Sequence, residues 1–153
     1  LGPFFALPFA LLIAGMLAMG EEAPVDRVLW AAGVAHLVDA VAFPALIAAI
    51  VRPLRIGEGY AGFIIIVNWA SLFLNAVAGA ASLLVLTGQT GEGVFSAIWF
   101  MLFGVSVFVT WRASRETLSP EIPIALLMVV LSVAVGELIN QVIRFAFGVS
   151  AFG

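Results

Sequence analysis

The chain has 153 residues, of which 64% are hydrophobic and 10% charged, with a mean hydropathy of +1.23. Soluble domains are about 45–50% apolar and about 25% charged, so this chain could not hide its apolar surface from water and must meet lipid. It has no cysteine, which excludes disulfides and thiolate metal sites, and its net charge of −3 offers no cationic surface for nucleic acid. We therefore expect an integral membrane protein.

Five long apolar segments, separated by short polar connections, predict an all-α transmembrane helix bundle that forms a single domain. Each segment is about 20 residues or longer, which is enough to cross a hydrocarbon core of about 30 Å. No basic region precedes the first segment, so it is interpreted as a span with missing or processed upstream residues rather than as a signal peptide. The predicted spans are residues 1–19, 28–51, 61–86, 94–111 and 122–147.

The arginines predict the orientation, because the chain contains no lysine. Arg52 and Arg55 lie in the second connection, and Arg112 and Arg115 lie in the fourth. The first and third connections are mainly acidic, so the positive-inside bias puts the second and fourth connections in the cytoplasm. Five spans then place the N-terminus in the cytoplasm and the C-terminus outside.

Polar residues within the spans are the candidates for function, because a central Asp costs about 2.5–3.5 kcal/mol on membrane insertion. His36 lies one helical turn before Asp39, so the imidazole and the carboxylate can pair. Positions counted from the span boundaries predict one polar cluster that opens outward, with Arg144 near the outer interface. Its predicted members are His36, Asp39, Asn75, Glu137, Asn140, Gln141 and Arg144. A static alternative is that Glu137 or Asp39 neutralises Arg144 while the amides complete the hydrogen bonding.

A second polar pattern runs along the third segment at spacings of three and four residues, which places its members on one stripe of a helix. Small residues let a neighbouring helix approach closely, so we interpret this stripe as a helix-packing face in preference to a substrate-lining one. Its members are Asn68, Ser71, Asn75, Gly79 and Ser82.

These features support three functional hypotheses. The first is a transport or ion- and proton-conducting component of a bacterial inner membrane, with His36 and Asp39 as its proton-responsive or cation-attracting pair. The second is a structural or accessory subunit that contacts a further copy of itself or another membrane protein. The third, ranked last, is an enzyme that acts on lipid. One histidine beside one carboxylate is an incomplete metal shell, and no nucleotide or hydrolase motif is present, so we expect no metal or cofactor.

Overall fold

The computed structural model describes residues 7, 8, 10, 11, 13, 24–89 and 91–148, and within them the protein is helical without β-strands. Four long helices follow one another along the chain. They are α1 (Val25–Val51), α2 (Tyr60–Leu86), α3 (Glu92–Thr117) and α4 (Ile122–Ala146), with a short 3-10 turn, Gly57–Gly59, before α2. All four are long and apolar enough to cross a membrane.

The last four predicted spans therefore correspond to helices, whereas most of the first predicted span, residues 1–19, lies outside the described residues. The largest boundary difference is in α3, which continues to Thr117 although hydropathy predicts its end at Trp111. Polar contacts stabilise this extra length: Arg112 pairs with Glu116 four residues later, and the Arg115 guanidinium lies 5.4 Å from the centre of the Trp111 ring. Hydropathy marks where the apolar surface stops, but a helix continues as long as its hydrogen bonds do.

The helices pack in the order α1, α4, α3, α2, and contacts between α1 and α2 are few. One of the links between α1 and α2 is a hydrogen bond of 2.9 Å from the Tyr60 hydroxyl to the carbonyl of Pro44. Pro44 lies inside α1 and has no N–H to give to Ala40, so this is the turn at which the helix has lost a backbone hydrogen bond. The main apolar core lies between the level of Pro44 and the connection that follows α1. It comprises Phe43, Ile47, Val51, Phe63, Ala113, Leu118 and Met128.

The connection after α1, which carries Arg52 and Arg55, and the end of α3 meet at the same end of the bundle, which we call the arginine end. Arg112 and Arg115 lie in the last turns of α3 rather than in the predicted fourth connection. The connection after α1 includes Arg55 in a left-handed conformation (φ 57°), and it brings Gly59 against the last turn of α3. A Cβ at Gly59 would overlap the backbone carbonyl of Thr117, so only glycine allows this approach. The contact places the connection after α1 and the end of α3 on one side of the bundle.

Replacing Gly59 by alanine should therefore destabilise the fold, because its Cβ would meet backbone rather than a movable side chain. We expect a loss of about 1–3 kcal/mol in the free energy of unfolding, as in other overpacked sites. Gly57→Ala is the matched control, since a Cβ there meets nothing within 4 Å. Unfolding curves in mixed micelles check the pair, and equal stability of the two variants would contradict the described contact.

Candidate functional site

Asp39 lies on the face of α1 that turns into the bundle. The buried residues Val28, Ala31 and Phe43 define this face, and Asp39 falls on it one turn before Phe43. Both Asp39 and His36 are half-buried, and the two side chains are close enough to interact electrostatically. The acid and the imidazole thus adjoin the interior rather than the lipid-facing side of α1.

The main polar cavity lies at the opposite end of the bundle from the arginine end. It has a volume of about 230 Å³, is partly open, and receives side chains from all four helices. Three members of the predicted cluster, Asn75, Asn140 and Arg144, line it. Its complete lining among the described residues is Ala10, Ile13, Val28, Ala31, Ala32, Asn75, Trp99, Asn140 and Arg144.

A second cavity of about 190 Å³ adjoins the first, because Asn75 and Trp99 line both. The remaining walls belong to α2 and α3 and are Ser71, Leu74, Ala78, Leu102, Phe103 and Ser106. Asn75 donates a hydrogen bond of 2.8 Å from Nδ2 to the Ser71 carbonyl, and its Oδ1 accepts none from the described part of the chain. Asn75 is therefore held in place by its own helix while it offers an acceptor to the cavities.

Trp99 is a site residue that the sequence did not single out. Its ring packs edge-on against Phe95 with centroids 6.2 Å apart, and it is 39% exposed between the two cavities. An indole N–H inside a span needs a polar neighbour, which is the signal that could have identified it. The same signal also fits Trp69, which is exposed on α2, so sequence alone does not separate the two tryptophans.

Asp39 lies deeper than the cavity, towards the arginine end. Ala32 in the cavity wall and Asp39 are seven residues apart on one face of α1, which corresponds to about 10 Å along the helix. Beyond Asp39 the interior closes around Phe43, Phe63 and Met128. We call the first cavity the recess. The Asp39 carboxylate lies between the inner end of the recess and the packed core.

The structure does not bring Glu137 and Gln141 into this recess. Both are exposed on α4, where Gln141 Nε2 donates a hydrogen bond of 2.7 Å to Glu137 Oε1. Ala125, Met128 and Ile143 set the inward face of α4, and Glu137 and Gln141 lie about a third of a turn or more away from it. Asn75 also stands level with Ala31 and Ala32 rather than with Asp39. The predicted cluster is thus divided between the cavity, the deeper His36 and Asp39, and an outward-facing pair.

The predicted packing stripe of α2 is turned inward throughout. Asn68 and Ser71 are half-buried, and Gly79 and Ser82 are buried. Ser82 donates from Oγ to the Ala78 carbonyl at 2.9 Å, which satisfies its hydroxyl without a partner helix. Within the described residues, no three His, Asp or Glu side chains are grouped closely enough to hold a metal ion.

The recess should admit water, because its polar groups are not all satisfied by the described protein groups. We expect Ala32→Cys to react at least about tenfold faster with a membrane-impermeant maleimide than Phe73→Cys, since a thiol needs water to ionise. Phe73 is a control at similar depth, as it lies close to Asn75 on α2 but is 66% exposed on the outer surface. Labelling rates in proteoliposomes test this, and equal rates would show that the cavity is dry.

The chemistry of the recess is that of amides, one guanidinium, one indole and, deeper, an acid beside an imidazole. These groups can orient water and exchange protons, and they include no thiol, since the chain has no cysteine. No protein-family model matches the chain, and no curated protein or solved structure shows significant similarity to it.

Proposed function

We propose that this chain is a small transport or ion- and proton-conducting component of a cell membrane. The observation that carries the proposal is the partly open recess lined by Asn75, Asn140 and Arg144, with Asp39 deeper on the same interior face of α1. Polar groups placed in hydrocarbon without a role are costly, so a recess that gathers them from α2, α3 and α4 favours passage or binding of a polar species.

The groups that can titrate favour protons as the species carried. The Arg144 guanidinium lines the recess and raises the electrostatic barrier for metal cations and hydronium alike, so it does not select between them. A proton can instead move along hydrogen-bonded water and be taken up by the Asp39 carboxylate or the His36 imidazole, both of which change charge by a single proton. The packed core beyond Asp39 would hold the passage closed towards the arginine end in this conformation.

Asp39→Asn tests the role of the carboxylate, because the amide keeps the shape and cannot release a proton at any ordinary pH. We expect proton flux into proteoliposomes, followed with an entrapped pH dye under an imposed potential, to fall about tenfold or more, as for other lost proton-transfer groups. Asp26→Asn, at the exposed start of the same helix, should keep the wild-type rate. Wild-type flux no greater than that of protein-free vesicles would contradict the proposal.

The proposal includes five spans, a cytoplasmic N-terminus, an external C-terminus and a bacterial inner membrane. The contact between the connection after α1 and the last turn of α3 supports this orientation, since it places four arginines at one end of the bundle. The recess then opens to the outer side.

Single-cysteine variants test the orientation directly, because the natural chain has no cysteine. Glu58 and Gln89 are exposed in connections at opposite ends of α2. We expect an impermeant maleimide to label Gln89→Cys in intact spheroplasts and to label Glu58→Cys only after permeabilisation. The reverse pattern would show that the positive-inside bias does not decide the orientation here.

A structural or accessory role is the second candidate, and the exposed Glu137 and Gln141 pair favours it. These side chains are placed on the outer surface of α4 rather than in the recess. An exposed polar pair at this depth is expected where another helix docks, because interhelical hydrogen bonds join helices in membranes.

A further inference from the structure

An exposed ridge runs along α4 at spacings of three and four residues. We call it the α4 seam, and its members are Val130, Ala134, Glu137, Gln141 and Phe145, all of which are exposed. This spacing is that of the contact line between two parallel or antiparallel helices that pack at a shallow angle. Val130 and Phe145 are 61% and 87% exposed, so the seam contributes little to the packing of a single copy.

The seam carries polar groups that lipid cannot satisfy. Glu137 lies nine residues before the end of α4, which is about 14 Å along the helix and therefore within the hydrocarbon. Its hydrogen bond from Gln141 uses Oε1 and one N–H of the amide. The Glu137 Oε2 atom, the second N–H of Gln141 and the Gln141 Oε1 atom have no further partner within the described residues.

We infer that a second copy of this chain covers the α4 seam, with the two α4 helices parallel across a twofold axis normal to the membrane. Such an axis places equal residues at equal depth, so Gln141 of each copy lies one helical turn, about 6 Å along the axis, from Glu137 of the other. Its side chain can extend diagonally and donate its second N–H to that Glu137 Oε2. These two symmetric hydrogen bonds satisfy Glu137 Oε2 and the second N–H of Gln141 in each copy, and they leave the Gln141 Oε1 acceptor unused. If Glu137 is protonated, its hydroxyl can donate to Gln141 Oε1 of the second copy, so the surface is self-complementary in either state.

The rest of the seam fits the same occupant. Ala134 lies one turn before Glu137 and has a small side chain, which lets two helix backbones approach closely at that level. Val130 and Phe145 flank the polar pair on either side with apolar surface. A twofold contact uses the same patch on both copies, so a patch that complements itself favours a second copy over an unrelated partner.

Disulfide cross-linking of single-cysteine variants of the full chain in liposomes tests the interface. We expect Val130→Cys and Ala134→Cys to form cross-linked dimers under mild oxidation. Val142→Cys is the matched control: it is 54% exposed and adjacent to Gln141 in the chain, but it lies about 100° around the helix from that residue. Cross-linking of Val142→Cys as efficient as that of Ala134→Cys, or no cross-linking at either seam position, would overturn the inference.

Glu137→Leu combined with Gln141→Leu tests the hydrogen bonds themselves. We expect the double variant to dimerise about tenfold more weakly than the natural chain, a change of about 1.4 kcal/mol, because it loses both interhelical hydrogen bonds. Glu137→Gln keeps an acceptor and adds donors, so it should dimerise as the natural chain does. Single-molecule photobleaching over a range of lipid dilutions measures all three, and two-step bleaching is expected of the natural chain.

A natural chain that bleaches in one step at every dilution would overturn the inference, as would equal dimerisation of the double leucine variant. Neither result depends on transport, so a failure of this inference and a failure of the proposed proton flux are separate outcomes. A double leucine variant that remains helical and monodisperse shows that its loss of dimers is not a loss of folding.

Discussion

Hydrocarbon offers no hydrogen bonds, and this constraint decides where each polar side chain of the four helices can lie. Some are satisfied within their own helix, as when Ser82 and Ser132 donate to the carbonyls of Ala78 and Val129. Others are gathered into the recess, and Glu137 and Gln141 bond to each other on the outer surface of α4. The hydroxyls bonded within their own helix need no further partner. The side chains of the recess indicate a site for water, and the outward-facing Glu137 and Gln141 indicate a contact with another helix.

The bundle is packed more tightly at one end than at the other, so the recess opens at one end only. Near the arginine end, a continuous apolar core includes residues of all four helices. The Tyr60 side chain of α2 is hydrogen-bonded to α1, and Gly59 allows the connection after α1 to contact the last turn of α3. Towards the other end, cavities separate the helices around Asn75 and Trp99. The Pro44 turn, at which α1 has lost a backbone hydrogen bond, lies between these two regions.

Hydropathy predicted the last four spans well, because the length of an apolar run reports directly on the thickness it crosses. It missed the last six residues of α3, where Arg112 and Glu116 continue the helix beyond the apolar surface. The rotation of each helix about its own axis was harder to predict than the position of its residues along the bundle. Asp39 faces inward, as its spacing to the buried Phe43 indicates. The outward position of Glu137 could not be predicted from α4 alone, because contacts with the other helices determine which face of α4 is buried. Trp99 was missed for the same reason, since its role comes from Asn75 across the cavity.

The proposed function requires water to enter the bundle from one end and to reach as far as Asp39. Water-edited solid-state NMR of the labelled chain in bilayers measures this directly, by the rate at which water polarisation reaches each side chain. We expect rapid transfer to the Asn75 and Asn140 amides and to the Asp39 carboxyl, and slow transfer to Phe63 and Met128. Transfer to Asp39 as slow as to Phe63 would contradict it.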